Sequence, residues 1–144
     1  METRRITDSY SVAPQITAED MAGIAAMGFT DVICNRPDCE VPADLRAARI
    51  RAAAEAAGLA FHELPLTYED MTPERIARQR RICQQATGPV LAYCASGTRC
   101  TVAWALGEAG NRAADEILSM ARAAGYDLAP LRPRLDAPGD GADA

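Results

Sequence analysis

Short apolar runs alternate with amphipathic stretches along this chain, and the alternation predicts a parallel sheet with crossover helices. Ser9 to Val12 reads as a weak first strand, Thr30 to Asn35 as a second, and Leu59 to Leu64 as a third. Val90 to Tyr93 is apolar throughout, the signature of a strand covered on both faces. A helix opens at Thr17, whose hydroxyl suits a cap before Glu19 and Asp20, and closes at Gly28. Asp44 to Ala57 is an Ala- and Arg-rich helix stopped by Gly58. After a loop from Pro65 to Met71, Thr72 and Pro73 start another helix, because proline at the first position sacrifices no hydrogen bond. Gly88-Pro89 ends that segment, and further helices run from Arg99 to Glu108 and from Asn111 to Ala124. Residues 136–144, made of Pro, Gly, Asp and Ala, are expected to be a disordered acidic tail, which leaves one catalytic domain over residues 1–135.

With 144 residues, 49% of them hydrophobic, the chain can bury a core without disulfides or metal. The net charge of −5 excludes a global basic footprint for nucleic acid, although every one of the 15 basic residues is arginine. No apolar segment follows Met1 and no run approaches the ~18 residues that cross a bilayer, so a cytoplasmic protein without a membrane partner is expected. Five cysteines in such a compartment argue against a disulfide framework. With no Cys-x-x-Cys and a single histidine, His62, no metal site or cofactor is expected.

The chemistry concentrates where the Val90–Tyr93 strand gives way to a helix, through Cys94-Ala95-Ser96-Gly97-Thr98-Arg99. Unpaired amides and the dipole at a helix N-terminus favour an anion. A cysteine placed there, with Arg99 nearby, has its pKa depressed toward thiolate at neutral pH. Gly97 permits the angles that turn the amides of Ala95, Ser96, Gly97 and Thr98 into one cup. Arg99 offers a planar fork to two oxygens of an oxyanion. Cys94 and Arg99 are therefore the expected catalytic pair, with the loop residues binding substrate.

Gly88-Pro89-Val90-Leu91-Ala92-Tyr93-Cys94, Ser96-Gly97-Thr98-Arg99 and Trp104-Ala105-Leu106 resemble the phosphatase-like domain of bacterial beta-lactamase-hydrolase-like proteins. Upstream, Ser11-Val12-Ala13-Pro14-Gln15, Gly28-Phe29, Asn35-Arg36-Pro37-Asp38 and Ala57-Gly58-Leu59 match in order, and Gly125-Tyr126-Asp127-Leu128 fits the C-terminal end. The resemblance covers roughly residues 4 to 135 and implies a compact α/β fold like that of dual-specificity phosphatases, a central parallel sheet flanked by helices. It also implies a persulfide dioxygenase as a pathway partner, since the domain is fused to one in some bacteria. The chain departs from that family at Cys100, where a serine is usual, and in Leu66-Thr67-Tyr68-Glu69-Asp70, where a glycine-rich loop is expected.

Four residues separate Cys94 from Arg99, one fewer than in tyrosine-phosphatase loops and similar to the spacing of rhodaneses. The expected activity is therefore sulfur transfer. A small anionic donor such as thiosulfate or a persulfide gives its sulfane sulfur to Cys94, and a thiol such as glutathione removes it. A thiolate leaves unaided, so no general acid is required. A phosphatase forming a phosphocysteine is the alternative, with Asp70 or Glu69 as acid against a simpler role as first-turn charges. A non-catalytic thiol redox sensor is a third, with Cys100 forming a disulfide with Cys94. Arg36 is expected as a second oxyanion contact, or else as an ion-pair partner of Asp38 or Glu40. His62 on its strand is a candidate base or a packed side chain. Arg75, Arg78, Arg80 and Arg81 read as a solvated helix face that could meet an anionic thiol.

Overall fold

The structure is a computed structural model and describes residues 1–136. Five strands, β1 (Arg4–Thr7), β2 (Tyr10–Ala13), β3 (Asp31–Cys34), β4 (Ala60–Glu63) and β5 (Val90–Tyr93), form one sheet in the order β1-β2-β5-β3-β4. β2, β5, β3 and β4 run parallel, as the pattern predicted. β1 was not foreseen. It is antiparallel to β2 and caps that edge, and its sequence Arg-Arg-Ile-Thr hides the strand because only Ile6 is buried.

Helices α1 (Met21–Ala26) and α2 (Ala47–Ala56) cover one face of the sheet. Helices α3 (Pro73–Gln85), α4 (Thr98–Glu108), α5 (Ala114–Ala123) and α6 (Arg132–Asp136) cover the other. β5 lies between them. Its side chains alternate, Leu91 and Tyr93 toward Ile24 and Ile50, Val90 and Ala92 toward Ile117 and Val102, and all four are fully buried. Truncating Leu91 to alanine would cost ~2–5 kcal/mol by lost burial and residual cavity.

Several predicted helices are shorter than their patterns. The Thr17 segment begins as a 3-10 turn (Ala18–Asp20), with the Thr17 amide donating to Asp20 Oδ2 at 2.9 Å, before α1 continues it. Arg46 is extended and separates the turn Ala43–Leu45 from α2. The helix expected from Asn111 starts at Ala114, since Gly110 takes a positive φ of 87° and the chain turns there. Asp136 closes α6, a helix the periodicity did not reveal, and the rest of the expected tail lies outside the described residues.

Candidate active site

The sheet aims its parallel C-terminal ends at one place. Cys94 follows β5 directly, and its amide donates to Ala13 O at 3.3 Å, at the end of the neighbouring β2. The chain then turns at Gly97, where φ is +92°, and enters α4. The Gly97 amide donates to Cys94 Sγ at 3.1 Å. Thr101 closes the loop from within the helix, its amide and Oγ1 both donating to Gly97 O, at 3.1 and 2.8 Å. Outside the loop, the Tyr126 hydroxyl donates to Ser96 O at 3.1 Å and sits where a Gly97 side chain would go. Any other residue at 97 would suffer both the left-handed backbone and that collision. Ser96 Oγ accepts from the Thr98 amide at 3.3 Å, and Ala95 O accepts from the Gln15 amide at 3.4 Å.

These contacts pull the Cys94 thiol down to about 5. The largest cause is a hydrogen bond from the Cys100 thiol, which outweighs the opposing burial, and the amides of Cys100, Ser96 and Gly97 add to it. Cys100 itself is raised, by burial first and then by the adjacent Cys94 thiolate. Cys100 thus fills the donor place a serine would take. Cys94 has no exposed surface, because the short loop draws its amides onto the sulfur itself.

Arg99, on the first turn of α4, spans the loops that follow β3 and β4. Its Nη1 donates to Glu40 Oε2 and to Leu66 O, both at 2.9 Å, and its Nη2 to Glu40 Oε1 at 2.7 Å. The Arg99 bond holds the Glu40 carboxyl below the usual range. Arg36 also turns to Glu40, through Nε at 3.2 Å to Oε1 and Nη2 at 3.3 Å to the backbone O. Its Nη1 reaches Gln15 Oε1 at 3.2 Å. Of the two roles expected for Arg36, the geometry displays the ion pair with Glu40.

A buried amide pair supports this end of the sheet. Asn35 Nδ2 donates to Leu64 O at 2.8 Å and to Gln79 Oε1 at 2.7 Å, while Gln79 Nε2 donates to Tyr10 Oη at 3.0 Å. Tyr10 Oη donates in turn to Cys100 O at 2.7 Å, so α3 and β2 are tied to the first turn of α4.

The candidate acid is differently engaged. Asp70 Oδ1 accepts from the Thr67 amide at 2.7 Å, and Oδ2 from Arg75 Nη1 at 2.8 Å. The Thr67 bonds and then Arg75 hold its carboxyl below the usual range, so it is ionised at neutral pH. The same bonds fix the loop that presents Tyr68, which is 61% exposed. His62 Nε2 lies 2.7 Å from Asp31 Oδ2, at the start of β3 and so away from the Cys94 loop. Arg75 and Arg80 are paired with Asp70 and Glu108, and Arg78 and Arg81 are exposed. Among the described residues no group of three or more His, Cys, Asp or Glu is placed to hold a metal ion, and no helix is long and apolar enough to cross a membrane. A cavity of about 200 Å³, lined by Tyr10, Gln79, Cys83 and Trp104 among others, contains no residue of the Cys94 loop.

The Leu66 carbonyl and the Gln79 amide were not singled out by sequence reasoning, and Glu40 entered it only as an ion-pair partner of Arg36, not of Arg99. Arg99 lies 59 positions from Glu40, so nothing local announces that partnership. Tyr126 lies in a matched motif, but its use as a prop for Gly97 shows only in three dimensions.

A strand, a tight amide loop around a thiolate, and an arginine on the following helix form a site suited to an oxyanion. The model of the beta-lactamase hydrolase-like protein, phosphatase-like domain, matches residues 2–111. The chain belongs to this family. A beta-lactamase hydrolase-like protein of Agrobacterium fabrum (strain C58 / ATCC 33970) is 32% identical over 130 residues, 89% of this chain and 30% of the relative. The chain thus spans about 30% of the length of that curated relative. Among solved structures, a candidate phosphatase from Neisseria meningitidis Z2491 shares 37% identity and a TM-score of 0.83, covering 94% of this chain and 96% of that one. A kinase associated phosphatase, crystallised with its catalytic-site cysteine replaced by serine, superposes with a TM-score of 0.75 at 12% identity, over 100% of this chain and 97% of that one. That likeness is one of fold, and the fold of this family member is dual-specificity-phosphatase-like, as expected. The family and the Neisseria relative fit the phosphatase alternative better than the sulfur transfer that the short loop and the lack of a convincing acid had favoured.

Proposed function

We propose that the chain is a cysteine-dependent phosphatase that hydrolyses phosphomonoesters through a phosphocysteine on Cys94. The observation that carries this reading is the Cys94 sulfur, held by the Gly97 amide at the head of α4 with Arg99 on the helix's first turn, a setting that draws the thiol down to about 5. The family's phosphatase-like character and the Neisseria relative support it. In the reaction the thiolate attacks phosphorus in line. The S–P bond forms as the P–O bond to the leaving group breaks, and the oxygen departs with the electron pair. Arg99 binds two non-bridging oxygens throughout. Water then attacks the phosphocysteine, releasing phosphate and restoring the thiolate.

The state of Asp70 narrows the substrates. A carboxylate already ionised and bonded to Arg75 has no proton to give. Leaving groups that depart as stable anions, such as phenolates, fit this site better than alkoxides. Aryl phosphates are therefore the substrate class.

A second reading, sulfur transfer from thiosulfate or a persulfide to a thiol such as glutathione, is favoured by the four-residue spacing and by the same lack of a protonated acid. One experiment separates the two. The protein is quenched during turnover with an aryl phosphate and, in parallel, with thiosulfate, and the mass of the Cys94 peptide is read. A phosphoryl adduct with phosphate release is expected. A gain of one sulfur without phosphate release would hand the assignment to sulfur transfer. No adduct with either, but a Cys94–Cys100 disulfide under mild oxidant, would identify a redox sensor. Asp70→Asn is expected to leave aryl phosphate hydrolysis nearly intact, whereas an acid at that place would lose about 10²–10⁴-fold.

A further inference from the structure

We propose that Glu40 is the positioning residue of the site: it takes the end of the Arg99 guanidinium, so that only the side edge, Nε and the outer Nη2 hydrogen, faces an incoming oxyanion. The argument is an inventory of donors. A guanidinium carries five N–H groups in a fixed plane. In Arg99, Nη1 gives one to Glu40 Oε2 and one to Leu66 O, and Nη2 gives one to Glu40 Oε1. Two remain, Nε–H and the second Nη2–H, and they lie side by side on one edge. That edge is the geometry that takes two oxygens of a tetrahedral anion.

Glu40 is itself held from behind. Arg36 grips its Oε1 and its backbone carbonyl and is braced by Gln15, the residue whose amide binds Ala95 O in the nucleophile loop. Through its two arginines this carboxylate links the loops after β2, β3 and β4 to the head of α4, Arg36 reaching Gln15 and Arg99 reaching Leu66 O. The Arg99 side chain is only 11% exposed, so its orientation is fixed before any anion arrives. Arg36 becomes a support for Glu40, which explains an arginine at this place without a second anion contact.

The proposal rests on Cys94 being the nucleophile and not on which group it attacks, so the test uses alkylation. Cys94 is reacted with iodoacetate, which carries a carboxylate, and with neutral iodoacetamide, in the wild type, Glu40→Gln and Arg36→Met. In the wild type the rate ratio favours iodoacetate. By Coulomb attraction alone, removing the Glu40 charge would raise that preference. Positioning predicts the opposite sign: in Glu40→Gln the ratio falls about tenfold, the worth of one charge-assisted hydrogen bond, while the iodoacetamide rate holds. Arg36→Met moves the ratio the same way by less. A ratio that rises or stays level in Glu40→Gln overturns the proposal. So does an equal fall with both reagents, which would mean that Glu40 only holds up the loop. A Cys94 inert to both reagents in the wild type would instead remove the nucleophile reading on which the proposal stands.

Discussion

Cys100 shows what one residue can decide. The resemblance puts a serine at this place, with a hydroxyl for the nucleophile, and here the Cys100 thiol is the largest influence that draws the Cys94 pKa down. Removing the donor in Cys100→Ala should raise the pH midpoint of Cys94 alkylation above its value of about 5. Cys100→Ser should keep it there or lower it, because a hydroxyl is the stronger donor. Identical midpoints in all three proteins would show that the amides alone set the thiolate. Tyr93, one residue before the nucleophile, makes the reverse case. Its hydroxyl is buried without a hydrogen-bond partner, so Tyr93→Phe should be neutral or stabilise by about 1 kcal/mol in denaturant unfolding. At this scale the sequence was legible where chemistry is local. Cys94, Gly97 and Arg99 lie within six positions and announce one another, whereas the contacts of Glu40 with Arg99 and of Tyr126 with the Ser96 carbonyl act across the fold, and no local pattern announces them.

Among the elements, β5 and α4 were readable because an apolar run, a glycine and a helix pattern follow in order. β1 was not, since an edge strand exposes arginines that resemble loop residues. α3 was read as a solvated arginine face, which is right for Arg78 and Arg81 and misses what its other face carries. Gln79 is 2% exposed on that inner face, and it links Asn35 after β3 to Tyr10 on β2. Gln79→Ala should destabilise the fold by about 1–3 kcal/mol, because it orphans buried groups on both neighbours. Gln79→Glu, which puts a charge in the same place, should cost more. A loss below about 0.5 kcal/mol in the alanine variant, measured by urea unfolding, would mean that water replaces the amide.

For the whole molecule, the depressed Cys94 thiol couples catalysis to stability. The folded state releases this proton near pH 5 and the unfolded chain only near about 8.5. The contribution is therefore complete above about pH 8.5, shrinks as the pH falls, and is gone below 5. Unfolding free energies of wild type and Cys94→Ser should diverge as pH rises through that window, and parallel curves would contradict the assigned thiolate. The order β1-β2-β5-β3-β4 has a consequence of another kind. β5, which leads into the nucleophile, is the last of these five strands to leave the ribosome, yet it fills the gap between β2 and β3. Until residues 90–93 emerge, two apolar strands synthesised long before have their facing edges unpaired. Until then the nascent chain can hold only two separate strand pairs, β1-β2 and β3-β4, with nothing to join them. Fragments ending before residue 90 should be captured by chaperones or aggregate, while a chain cut in the Ala86–Pro89 connection should regain its structure when both pieces are supplied together.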